Sequence, residues 1–232
     1  MKPTQLITYG CSHTYGQGLP DCVNELDVLQ AGTSPSTLAW PSILQQLLQI
    51  KHLDNRSIPG ASNKMIAHRI LNSTFKDGDV VVILWTRLAR QTIYKSKDKY
   101  LHMMPAFVEK KMSKGFWKTI NVKYGSEVDQ YKQNISTYFS EFFEEYDAQF
   151  DQITRINHVH ALLESKKVKS YHLLIDTEMH INQFKHMLLP NLNYKEFSWH
   201  PGFKIDNALD NVHPGVVSHK QFAVNIRNWF FK

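Results

Sequence analysis

The sequence predicts an α/β protein, a three-layer α/β/α sandwich on a doubly wound, mainly parallel sheet. Three observations lead there. Short apolar runs alternate with helical patterns through the first ninety residues. One of those runs, Asp79 to Trp85 (DVVVILW), is apolar without alternation, the pattern of a strand covered on both faces. Strands separated by helices at this pitch need crossover connections, which put helices against the sheet.

The elements follow in order. Gln5 to Tyr9 reads as a first strand ending at Gly10. Leu38 to Ile50 reads as a helix, because Leu38, Ile43, Leu44, Leu47 and Leu48 recur at helical spacing. Pro41 suits its first turn. Asp54 to Ile58 reads as a second short strand, closed by Pro59-Gly60. Ser62 or Asn63 caps a helix running to about Ser73. Asp77-Gly78 is a turn before the buried strand. After Arg90 the pattern breaks, and residues 91–128 read as a basic, aromatic, irregular insertion. From Tyr131 to Leu163 an apolar stripe predicts one long amphipathic helix, or two joined near Tyr146 to Phe150. Its Phe and Tyr residues at 135–150 are expected in the core. Lys169 to Asp176 reads as a fourth strand, and Gly215 to Phe231 as a closing helix. The expected organisation is a single domain over 1–232, with 91–165 as an insertion and a candidate lid.

Composition narrows the function classes. Of 232 residues, 42% are hydrophobic and 21% charged, so a packed core is expected rather than disorder. The longest apolar stretch, Val80 to Trp85, is far short of the roughly 20 residues that span a bilayer. The opening MKPTQLITYG lacks the apolar core of a signal peptide, so a cytoplasmic protein is expected. Cys11 and Cys22 read as reduced thiols. The sequons at Asn55, Asn72 and Asn134 are then chance matches. The net charge of +6 arises between Arg90 and Lys123, where nine Lys or Arg face only Asp98 and Glu109. That segment is a candidate anion-attracting flap. Glu141 to Asp151 is acidic. Nucleotide chemistry lacks its glycine-rich loops, and nucleic acid is not an expected partner. His158 and His160 fall on different faces of a helix, so no metal or other cofactor is expected.

In an open parallel sheet, ligands bind beyond the carboxyl ends of the strands. Gly10-Cys11-Ser12-His13-Thr14 follows the first strand, and Pro59-Gly60-Ala61-Ser62-Asn63 the second. Trp85-Thr86-Arg87 ends the third. Asp210-Asn211-Val212-His213-Pro214 precedes the closing helix. Converging on one edge, this set suits acyl transfer. Ser12 would attack, His213 would take its proton, and Asp210 would orient the imidazole. The backbone N–H groups of Ser12 and Gly60 would hold the oxyanion. Cys11 competes as nucleophile, but neighbours at a strand end point opposite ways. Asp206 competes as the partner of His213.

These blocks resemble those of the SGNH hydrolases, the GDSL esterase/lipase family. Gly10-Cys11-Ser12 stands for its Gly-Asp-Ser turn, Gly60 for its second-block glycine, and Asp210-x-x-His213 for its closing Asp-x-x-His. GCSHTYGQGLPD, AWPSIL and PGASNK look especially like an uncharacterised bacterial and phage branch. The matching blocks cover about 110 residues. The resemblance implies a sheet order of 2-1-3-4-5 and a serine esterase removing a small acyl group, such as acetate on a carbohydrate, without a cofactor. Two positions depart from the pattern. Cys11 replaces the Asp before the nucleophile. The third block, ordinarily Gly-x-Asn-Asp, reads Trp85-Thr86-Arg87, so Arg87 falls where the oxyanion Asn belongs. Arg87 or Asn63 is then the expected third donor. His13, Trp85 and Thr86 are expected substrate contacts, with Phe116 and Trp117 as further candidates for stacking on a sugar or contacting the acyl group. A catalytically weakened module that only binds glycans is the second reading.

Overall fold

The first strand, β1 (Gln5–Tyr9), ends in the short helix α1 (Ser12–Tyr15). A small antiparallel hairpin follows, β2 (Val23–Asn24) with β3 (Asp27–Ala31), and then α2 (Trp40–Leu47). β4 (His52–Asn55), α3 (Asn63–Leu71) and β5 (Val80–Leu84) complete the first half. A second hairpin joins β6 (Gln91–Tyr94) to β7 (Tyr100–Met103). Next come α4 (Val128–Thr137), a π-helical turn at Tyr138–Phe142, and α5 (Glu145–Ser165). β8 (Lys169–Ile175), a 3-10 helix (Ile181–Met187), β9 (Tyr194–Phe197) and α6 (Val216–Phe230) close the chain. This computed structural model describes residues 3–24, 27–94, 96, 100–104, 128–175 and 181–231.

The main sheet has the order β4-β1-β5-β8-β9 and is parallel throughout. Counting only its own strands, that is 2-1-3-4-5. Each face is covered. Ile7, Tyr9, Val81, Ile83 and Leu174 pack with Ile66 and Ile70 of α3 and with Ile153, Ile156, Val159 and Leu163 of α5. On the other face, Leu6, Val80, Val82, Leu84, Leu173 and Ile175 pack with Trp40 and Leu44 of α2 and with Phe222, Ala223 and Ile226 of α6. All of β5 is buried, which is why its sequence does not alternate. The architecture is the three-layer α/β/α sandwich the sequence predicts.

Several boundaries differ from the sequence reading. The second strand is His52–Asn55 rather than 54–58, because Gln5 pairs with His52 and Thr8 with Asn55. The helix expected over Leu38–Ile50 covers only Trp40–Leu47. Ser62 caps α3, its Oγ accepting the Met65 N–H at 3.2 Å. The stripe from Tyr131 is two helices, but the break falls at Phe143–Glu144, earlier than expected. Nor is the stripe uniformly core. Tyr131 and Ile135 pack with Met103 in a separate small cluster, whereas Phe142, Tyr146 and Phe150 are exposed. Their faces sit where the helical period passes through the π turn and shifts out of phase with the sheet. Within the stretch read as irregular, β6 and β7 form a regular hairpin. Phe116 and Trp117 lie outside the described residues. Among the described residues, no helix is long and apolar enough to cross a membrane.

Candidate active site

The loop after β1 is built by its neighbours. The Arg56 N–H donates to the Thr8 carbonyl at 2.9 Å and the Ile58 N–H to Gly10 at 3.2 Å, carrying the β4–β1 pairing past the strand ends. Asn55 Nδ2 donates to the Thr14 carbonyl at 3.0 Å. A Cβ at Gly10 would stand 2.0 Å from Thr14 Oγ1, so the tight turn into α1 requires glycine there. Cys11 precedes the helix in an extended conformation and is fully buried among Ile7, Ile83 and their neighbours. Ser12 begins the helix and is 3% exposed.

The closing loop holds Asp210 and His213 together. Asp210 Oδ1 accepts the N–H groups of Val212 and His213, each at 2.9 Å. Its Oδ2 lies 2.5 Å from His213 Nδ1. Burial alone would raise the Asp210 pKa. The His213 ring, the two N–H donors and the His213 charge outweigh it and hold the carboxyl below its ordinary range. With Nδ1–H directed at a carboxylate, Nε2 of neutral His213 is left as the acceptor, a tautomer assigned from the bonding pattern. The competitor Asp206 has another task. Its carboxylate accepts the N–H groups of Val217 and Ser218, at 3.1 and 2.8 Å, and so caps α6.

One support was missed in the sequence. Gly18 has φ +85°, and a Cβ there would stand 2.5 Å from Asp210 Oδ2. The Leu209 N–H donates to the Gly18 carbonyl at 3.0 Å. The loop after α1 therefore seats the closing loop directly. The Gly-Gln-Gly of residues 16–18 is the signal that marks it.

The second loop carries Gly60, whose φ is +78°. The nearest group to a Cβ there would be His102 Nε2 of the β6–β7 hairpin, at 3.8 Å. His102 Nδ1 lies 3.1 Å from Thr92 Oγ1, which lies 2.7 Å from Ser62 Oγ. The hairpin is thus tied to the loop that bears Gly60. Among the described residues, no hydrogen bond engages the backbone N–H of Ser12 or Gly60.

The third block departs most from expectation. Trp85 is not a substrate contact: it is fully buried, and its Nε1 donates to His172 Nδ1 at 3.1 Å. It continues the two-faced burial of β5, as its place at the end of the apolar run Asp79 to Trp85 implies. Thr86 is 2% exposed. Asn63 Nδ2 donates to the Thr86 carbonyl at 2.9 Å, and the Thr86 N–H donates to Asn63 Oδ1 at 2.7 Å. The carboxamide cannot swing freely toward the reacting centre. It welds the second loop to the third. Arg87 is exposed at the carboxyl edge.

His13 is brought to the site. Its ring lies 4.6 Å from Trp199 and 5.4 Å from His213, centroid to centroid. Its Nδ1 is buried without a partner. Burial, then the charges of His213, Arg90, Arg87 and His219, keep it neutral well below the usual histidine range. Trp199, just past β9, was also missed. The turn-rich SWHPG after a short strand was its only signal. No hydrogen bond joins Ser12 to His213 in this structure. Among the described residues, no group of three or more His, Cys, Asp or Glu could hold a metal ion.

No protein-family model matches the sequence, and no curated protein matches it. Solved structures do match in fold. A lipolytic protein of the G-D-S-L family from Desulfitobacterium hafniense DCB-2 superposes with a TM-score of 0.51 at 11% identity, covering 98% of this chain and 99% of that one. The chain has the SGNH-hydrolase fold. An acetyl xylan esterase (Est2A) from the rumen bacterium Butyrivibrio proteoclasticus gives a TM-score of 0.55 at 11% identity, over 97% of this chain and 65% of that one. A carbohydrate esterase whose active site displays divergent catalytic and non-catalytic binding functions gives 0.55 at 11% identity, over 97% and 67%. The chain spans about two thirds of the length of these two esterases. Within this SGNH fold, the candidate residues lie on the loops at the carboxyl ends of β1, β4 and β5 and on the loop before α6.

Proposed function

We propose that the protein is a serine ester hydrolase that removes a small acyl group, such as acetate, from a carbohydrate. The observation that carries this reading is the Asp210–His213 pair. A buried carboxylate, held by two backbone N–H groups, receives Nδ1 of a histidine whose other nitrogen is left to accept a proton. The esterases that share the fold supply the substrate class by analogy.

In this mechanism Ser12 Oγ attacks the ester carbonyl while its proton passes to His213 Nε2. Asp210 keeps the imidazole oriented and stabilises the imidazolium. The free N–H groups of Ser12 and Gly60 receive the oxyanion. The imidazolium protonates the departing sugar oxygen, leaving an acyl-serine. Water then attacks the acyl-serine with His213 again as base, which releases the acid and restores Ser12. Arg87 is the third-donor candidate that remains exposed. No hydrogen bond joins Ser12 to His213 in this structure, and the mechanism requires one to form when the ester is bound.

The test is labelling by a fluorophosphonate probe, with p-nitrophenyl acetate turnover alongside. Wild type should label and turn over, and Ser12→Ala should do neither. Cys11→Ala should keep both, since the Cys11 thiol is packed in the core.

One set of observations favours a second reading, a glycan-binding module with a weakened site. Ser12 is 3% exposed and unbonded to His213, and the usual oxyanion Asn is Arg87. A well-folded wild type that neither labels nor turns over, yet binds an acetylated xylan, would establish it in place of the hydrolase.

A further inference from the structure

We propose that the site selects sugar esters that also carry an anionic group, a carboxylate or a phosphate, and that Arg90 together with Arg87 receives it. This rests on the ester-hydrolase reading and adds to it the class of substrate.

Both arginines lie in the turn that follows β5, at the carboxyl edge of the sheet. The turn is closed by the Arg90 N–H donating to the Arg87 carbonyl at 3.2 Å. It is immobilised beside the second loop by the paired bonds between Thr86 and Asn63. Arg90 is half-buried, and its Nη1 is buried with no hydrogen-bond partner. A guanidinium N–H withdrawn from water without an acceptor is unfavourable. An incoming oxyanion completes it, and the planar fork matches the two oxygens of a carboxylate or phosphate.

Arg90 and Ser12 follow adjacent parallel strands, β5 and β1, on the same edge of the sheet. After burial and His213, the charges of Arg90 and then Arg87 act most strongly on His13, which adjoins Ser12 in sequence. The Asp210 carboxylate does not offset them toward a ligand. Its side chain is 1% exposed, and its oxygens face His213 and two backbone N–H groups. His13 itself stays neutral. Two cationic side chains thus follow β5 on the edge of the sheet that also carries Ser12, which suits a negative group on the same sugar as the ester.

The experiment compares kcat/KM for acetyl esters of three methyl glycosides: glucose, glucuronic acid and glucose 6-phosphate. At low salt the glucuronate or the phosphate should be preferred over the neutral sugar by about tenfold to a hundredfold, the range of one charge-assisted hydrogen bond. The preference should shrink at about 0.5 M NaCl. Arg90→Gln should lower the ratio of acidic to neutral turnover by about tenfold, and Arg90→Lys should lower it less. Equal kcat/KM for all three esters, or a ratio unmoved by Arg90→Gln, would overturn the proposal. Whichever acidic sugar is preferred identifies the anion.

Calorimetric binding of the three unacetylated glycosides to Ser12→Ala separates this idea from the hydrolase reading. Preference for an acidic sugar in binding, without hydrolysis of any ester by wild type, keeps the anion site and sinks the hydrolase. Hydrolysis with no acidic preference in binding or turnover sinks the anion site alone. Should Arg90→Gln fail to fold, the salt dependence of wild type and the Ser12→Ala binding still decide.

Discussion

Acid should unfold this protein through its buried histidines before its carboxylates titrate. His172 lies in β8, where its Nδ1 accepts the Trp85 Nε1–H and Nε2 lies 3.2 Å from Ser170 Oγ. His219 lies in α6, where its Nδ1 accepts the Trp40 N–H at 3.1 Å. Both are fully buried. Burial pushes each down to about 3, helped at His172 by His160. At His219 the nearby Asp206 carboxylate works against the shift and loses to burial. The folded state thus prefers the neutral form, while the unfolded chain titrates near the ordinary value of about 6.5. Their contribution is complete above that value and is lost as pH falls from about 6.5 toward 3. Between about pH 7 and 5, each group removes about 2 kcal/mol, or about 4 kcal/mol for the pair. Against a typical stability of about 5–15 kcal/mol, that loss is large. His13 acts in the same direction. Urea unfolding followed by circular dichroism at about pH 7, 6 and 5 measures it. In His172→Asn, or in His219→Asn, an amide oxygen replaces the accepting nitrogen, and the pH-dependent loss should fall by about half. A stability at pH 5 within about 1 kcal/mol of that at pH 7 would refute the reasoning.

Further outcomes follow from the site. Asp210→Asn should leave the fold intact and reduce kcat on p-nitrophenyl acetate by about 10⁴-fold, because the amide no longer selects the tautomer with Nε2 free. An unaltered kcat would remove Asp210 from the mechanism. Gly18→Ala combines a strained left-handed backbone with a Cβ driven against Asp210. It should cost about 1–2 kcal/mol in thermal or urea melts and lower kcat more than it raises KM. Asn63→Ala leaves the N–H and carbonyl of Thr86 buried and unpaired, and should destabilise by about 1–3 kcal/mol. Below about pH 4, Asp206 and Asp210, both held below the ordinary carboxylate range, add a second phase of acid destabilisation, lost as pH falls through their lowered pKa values. Asp206→Asn should diminish that phase without affecting the one near pH 5–6.

Much of the frame was legible in the sequence. The uniform apolar run of β5 announced a strand covered on both sides, and both core clusters do draw on alternate residues of it. Ser62 was recognisable as a cap because capping is settled within one helical turn. The spacing from Asp210 to His213 brought carboxylate and imidazole together within one short loop. Other features left weaker traces. The Tyr131 stripe carries a helical period straight through a π turn that only its packing partners reveal. Asp210 was the sequence's own choice, but its competitor Asp206 is removed only by the N-terminus of α6, where that carboxylate is already occupied.

The sequence by itself determined the alternation of elements, the order of the loops at the sheet's carboxyl edge, and the residue types those loops carry. These depend on periodicity and on contacts a few residues apart. Only the tertiary structure decided what each candidate touches. It buried Trp85 against His172, bound Asn63 to Thr86, set Gly18 against Asp210, and brought His13 to Trp199 and His213. Each of these joins segments far apart in the chain. Their side-chain directions depend on strand register and helix docking, which no local pattern encodes.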